Sequence, residues 1–139
     1  MRSTLSSWLL LGGVVAAVGC RDVTTALPLA EKAVRLEPGN AGYRNTLGLA
    51  YYRADRYREA VDRLRPNLEG QDEEGLAYDL YFLAMSHHRL GEAARARDCY
   101  DLAVRWTAVQ RGLTLRQLDD LAWVRAESEE VLGIKPKKD

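Results

Sequence analysis

The sequence predicts an all-α protein: a short α-solenoid of antiparallel helix pairs, about two and a half units long, with a C-terminal capping helix. Three observations carry this. Leu47, Gly48, Tyr51, Ala60 and Leu64 are followed 36 residues later by Leu83, Ala84, His87, Ala96 and Tyr100. Within each stretch small and apolar residues recur at intervals of three and four, the signature of a helix buried on one side. Only Ala54, Asp55 and Arg56 separate the two helices of the first copy, so those helices must run antiparallel. A single pair cannot bury its own apolar face and must stack on a neighbour.

Length and composition fit this reading. The chain has 139 residues, enough for one domain with a core, and is 47% hydrophobic and 29% charged, as globular proteins are. Lys plus Arg and Asp plus Glu number 20 each. That balance leaves no electrostatic footprint for nucleic acid.

Residues 1–20 carry Arg2, an apolar run from Trp8 to Val18, and then Gly19-Cys20. The run is shorter than the ~20 residues that span a bilayer and suits the apolar region of a signal peptide. Ala17-Val18-Gly19-Cys20 resembles a bacterial lipobox, which implies lipidation of Cys20, membrane anchoring and residence in the cell envelope. The alternative is a degenerate or shortened first helix of the array, in a cytoplasmic protein.

Residues 22–40 read as half a unit. Leu27, Ala30, Ala33 and Val34 form a stripe, Glu31 and Arg35 are spaced as an i,i+4 pair, and a start near Thr24 or Thr25 keeps Pro28 within the first turn. Pro38-Gly39-Asn40 ends this helix, with Asn40 placed to cap the next. The first full unit, 41–74, has helices over Ala41 to Arg53 and about Tyr57 to Leu68, where Pro66 is expected to kink or end the second and Gly70 to cap it. The second unit, 75–112, opens after the acidic Asp72-Glu73-Glu74, stops at Gly91, and resumes from Glu92 to about Gln110. The capping helix, 113–134, begins with the capping box Thr114-Leu115-Arg116-Gln117 and ends at Gly133. Its expected apolar side is Leu115, Leu118, Leu121, Ala122 and Leu132. Asp119, Asp120, Arg125, Glu127, Glu129 and Glu130 are expected to face solvent. Residues 135–139 read as a loose tail.

The pattern resembles the tetratricopeptide repeat, with its 34-residue unit: Leu47-Gly48, Tyr51 and Ala60 match in the first unit, and Leu83-Ala84, Gly91, Ala96, Tyr100 and Ala103 in the second. Pro38 matches the close of the half unit, because Ala26, Ala30 and Ala33 precede Ala60, Leu64 and Asn67 by 34. His87 stands in the Tyr place and Asn67 in a small-residue place. The segment LDDLAWVRAESEEVLGI is similar to the FRAEAEELLG-type helix that closes such arrays in many bacterial proteins. The resemblance implies a right-handed solenoid and a non-catalytic module that binds a peptide or partner helix in its concave groove. The repeat positions project Asn45, Leu49, Tyr52 and Arg53, and 36 residues on Tyr81, Met85, His88 and Arg89, onto that face. Arg53 and Arg89 are thereby expected as two stacked guanidinium groups. Other expectations are a lipoprotein scaffold of an envelope assembly, or the C-terminal remnant of a larger repeat protein.

The residues offer no chemistry that competes with this reading. His87 and His88 point about 100° apart on a helix and cannot share a metal ion. Cys99 has no His near it in sequence, and the paired carboxylates Asp119-Asp120 and Glu129-Glu130 belong to a solvated helix face. No cofactor is implied.

Overall fold

The structure, a computed structural model, describes residues 23–69 and 76–136. Among them lie six helices and no strand: α1 (Val23–Leu36), α2 (Ala41–Arg53), α3 (Tyr57–Glu69), α4 (Leu76–Arg89), α5 (Ala93–Val109) and α6 (Leu115–Leu132). Cys20, Gly70, Asp72 to Glu74 and residues 137–139 lie outside the described residues. Each helix packs on the next from α1 to α5, and α6 returns onto α4, the arrangement of a short helical-repeat solenoid. None of the described helices is long and apolar enough to cross a membrane.

The repeat is visible in its turns. Asp55 takes a φ of 59° after α2, and the Arg56 N–H donates to the Tyr51 carbonyl at 2.9 Å. Thirty-six residues on, Gly91 takes a φ of 78° after α4, and the Glu92 N–H donates to the His87 carbonyl at 2.9 Å. Left-handed backbone is open to Gly, and to Asp at modest cost, so both units reverse direction in the same way.

The expected caps form. The Asn40 side chain accepts the Tyr43 N–H at 3.1 Å, and the Thr114 hydroxyl and Gln117 amide close a reciprocal capping box. Gly133 ends α6 with a φ of 69°.

Pro28 departs from expectation: because α1 begins at Val23, Pro28 falls in its second turn rather than its first. Pro66 lies inside α3 near its end, and the helix closes at Glu69, within a residue of the expected Leu68. Each proline leaves one carbonyl without a helical donor, at Thr24 and at Asp62, and both residues are exposed, so water can serve those oxygens.

The core is centred on α4, where every residue from Asp79 to His87 is buried. A helix buried on all sides needs neighbours all round, and α4 has them in α2, α3, α5 and α6. Leu47, Ala50 and Tyr51 of α2 meet Ala60, Val61 and Leu64 of α3 within this core. The Leu-Gly pair has a steric cause: a Cβ at Gly48 would stand 2.5 Å from Cγ and Cδ2 of Leu64, which is fully buried. α1 is tied on by the Tyr51 hydroxyl, which donates to Glu31 at 3.0 Å, so Glu31 serves α2 instead of Arg35.

The buried side of α6 is not the one expected. Leu115 and Leu118 are exposed, as is Ala122, while Leu121, Val124, Ser128 and Glu129 are buried. Glu129 is not a solvated acid: its Oε1 accepts from the Tyr100 hydroxyl at 2.6 Å and from Arg125 Nε at 2.8 Å. The true seam follows a three-four spacing from 121, and its last turn uses a hydrogen-bonded carboxylate where a leucine stripe was anticipated.

Candidate functional site

The eight residues projected onto the concave face divide sharply by burial. Tyr81 and Met85 are 1% and 0% exposed, because α6 lies against α4 on this side. They belong to the core here and offer no surface to a partner. Asn45 and Tyr52 are also buried, Leu49, Arg53 and His88 are half-buried, and Arg89 is exposed.

Asn45 is held by a polar network inside the fold. Its amide donates to Asp79 on α4, while Arg44 on α2 donates from Nε to Asn67 Oδ1 on α3 at 2.8 Å and from Nη1 to the Pro38 carbonyl at 2.8 Å. Burial pushes the Asp79 carboxyl up to about 7, against the Asn45 and Asn67 amides and the Arg44 charge, which pull it down. Asn67, in a place where the repeat wants a small residue, thus accepts from Arg44 across the helix pair of the first unit.

The two arginines do not present themselves as a simple stacked pair. Arg53 forks onto Glu127 of α6, with Nη1 to Oε1 and Nη2 to Oε2, the latter at 2.8 Å. Its guanidinium lies 5.6, 5.7 and 5.9 Å from the ring centroids of Tyr52, Phe82 and Trp123, within cation–π range of all three. Tyr52 and Phe82 meet edge to face at 5.6 Å and 75°. Arg89 instead lies near the Tyr52 hydroxyl, with Tyr57 and Asp55 also close. The two cations therefore meet Tyr52 at different points, Arg53 on its ring and Arg89 on its hydroxyl.

Phe82, Trp123 and Glu127 were not among the residues projected from sequence, yet they shape this corner. A signal for two of them exists. Leu121-Ala122 repeats Leu83-Ala84 at 38 residues and Leu47-Gly48 at 74. On that register Trp123 continues the column Leu49, Met85, and Glu127 continues the column Arg53, Arg89. α6 thus stands in the place of a third unit's first helix, and its groove side bears an exposed Trp and a carboxylate. Trp123 is 57% exposed.

His87 is buried and pairs through Nδ1 with Glu92 Oε2 at 2.5 Å, the carboxylate that also faces Arg58 and Arg95. This pairing closes the α4–α5 turn. The turn at Gly91 swings Glu92 back to His87. Cys99 is half-buried, and burial pushes its thiol up, which disfavours the nucleophilic thiolate.

A comparison with curated proteins finds no match. The family model for anaphase-promoting complex, cyclosome, subunit 3 matches residues 19–103. That is more than half the chain and takes in both full units' Leu-Gly or Leu-Ala pairs and their turns, so the chain belongs to this family of tetratricopeptide-type repeats.

Proposed function

We propose that the chain is a non-catalytic interaction module that receives a peptide or partner helix along the concave face, at the corner framed by Leu49, Arg53, His88, Arg89 and Trp123. Families of this repeat type are protein-interaction modules, which supports the general role. The observation that carries the location is Trp123: a tryptophan more than half exposed, beside a guanidinium that also lies over the rings of Tyr52 and Phe82. Trp, Tyr and Arg are the residue types that anchor interfaces.

The test is affinity capture on the full chain, read by mass spectrometry, beside the double variant Arg53→Ala, Arg89→Ala. Specific partners should be lost from the double variant while its helical circular dichroism is retained. Partners captured equally by both would remove the assignment to this corner.

A further inference from the structure

We propose that Arg53 and Glu127 form a latch across this groove, and that the partner which opens it is a peptide carrying an acidic side chain close to an aromatic or aliphatic one. This rests on the groove reading above and names the chemistry of its ligand.

The latch joins the first helix of the concave face to the last. Arg53 ends α2, Glu127 sits on α6, and the guanidinium passes over Phe82 of the helix between them. The contact is two-pronged, the geometry in which Arg and a carboxylate bind most strongly. Their side chains are 28% and 21% exposed, so the pair is partly dry but open to an incoming group.

The two halves of the latch are not equally fixed. Arg53 is held by three rings as well as by its carboxylate, on Tyr52, Phe82 and Trp123. Glu127 is tied only through Arg53 among the contacts that the structure shows it making. The displaceable half is therefore the glutamate. Removing it without replacement would cost a guanidinium half out of water the carboxylate it forks onto, which is unfavourable. A neutral or basic ligand cannot compensate for that, but an acidic side chain restores both hydrogen bonds. Trp123, four residues before Glu127 on the same helix face, then supplies apolar contact for a neighbouring ligand side chain.

The column of equivalent positions supports the same reading. Arg53, Arg89 and Glu127 occupy one place in three successive groove helices. A third arginine would make a uniformly cationic strip. The glutamate instead neutralises its cationic neighbour from within the chain, as a ligand carboxylate would from outside.

The experiment is selection of random dodecapeptides by display on the full chain and on its Glu127→Gln variant, followed by fluorescence anisotropy of the enriched peptides. Peptides selected on Glu127→Gln should carry Asp or Glu within a turn of an aromatic or aliphatic residue. They should bind that variant at least tenfold more tightly than the unaltered chain, and at least tenfold less tightly once Arg53→Ala is added. Arg53→Lys, which keeps the charge and loses the fork, should fall between; it also serves if Arg53→Ala does not fold. Equal affinity for Glu127→Gln and the unaltered chain, or no acidic enrichment, overturns the latch. Peptides weakened by Arg89→Ala but not by Arg53→Ala would overturn the latch and leave the groove standing. Peptides indifferent to both would overturn the two together.

Discussion

Asp79→Asn should abolish a pH dependence of stability that the fold builds into its centre. The Asp79 carboxyl lies on α4, 3% exposed, with the Asn45 amide donating to it. Burial raises it from an ordinary 3.8 to about 7. Between those values the folded chain holds a proton on Asp79 that the unfolded chain has released. Stability from this group is therefore complete below pH 3.8 and is lost as pH rises toward 7. At about 1.4 kcal/mol per tenfold in proton affinity the ceiling is about 4 kcal/mol, of which about 2–3 kcal/mol falls between pH 5 and 8. Asparagine keeps an acceptor for Asn45 and carries no charge, so the variant's stability should be flat over that interval and exceed the unaltered chain's at pH 8. Urea unfolding followed by circular dichroism at pH 5, 6, 7 and 8 reads both curves. An unaltered chain whose stability is level or rises from pH 5 to 8, or a variant with the same slope, would refute the buried, protonated carboxyl.

Two further substitutions test the packing. Gly48→Ala gains up to about 1 kcal/mol in helix propensity, yet its methyl must displace Leu64 in a filled core, at about 1–3 kcal/mol. Net destabilisation is expected in thermal unfolding, and in a Leu64→Ala background the same change should become neutral or stabilising; a stabilised single variant would contradict the close approach. Glu129→Gln should cost about 1–3 kcal/mol, because two hydrogen bonds to a carboxylate 10% exposed lose their charge. Burial pushes Glu129 up, but the Tyr100 and Arg125 hydrogen bonds with the Arg125 charge pull it below its ordinary 4.5. Its contribution is thus present above pH 4.5 and lost on acidification, and unfolding measured from pH 5 to 3 should be less acid-sensitive in Glu129→Gln than in the unaltered chain.

The solenoid was legible in the sequence because its determinants are local and repeated. Small residues at 48, 60, 84 and 96, the turns at Asp55 and Gly91, and the caps at Asn40 and Thr114 each act within a few residues of themselves or recur at 36. The groove was less legible because its occupancy depends on where α6 docks. Tyr81 and Met85 look like surface residues when two units are considered alone, and become core once a third groove helix lies beside them. Leu115 and Leu118 misled in the other direction: they share a face in sequence, but the docked face starts at Leu121 and turns through Val124 to Ser128. Both helices carry their proline inside for a simpler reason. A missing helical hydrogen bond is disruptive when its carbonyl is buried, and here those carbonyls belong to exposed residues.

The double service of α6 follows from helical periodicity. Leu121, Val124 and Ser128 turn toward α4, and Glu129 reaches Tyr100 on α5. Trp123 and Glu127, four apart, lie on the adjoining face that looks along the groove toward Arg53. An array this short has few helices with which to complete a core, so the helix that seals it must also form a wall of its concave side. On the proposed reading, stability and ligand chemistry are then written on neighbouring faces of one helix, at different residues. The acidic character read from the segment as one solvated surface is really two surfaces: a buried carboxylate that locks α6 to Tyr100, and a half-buried one that forks onto the Arg53 guanidinium.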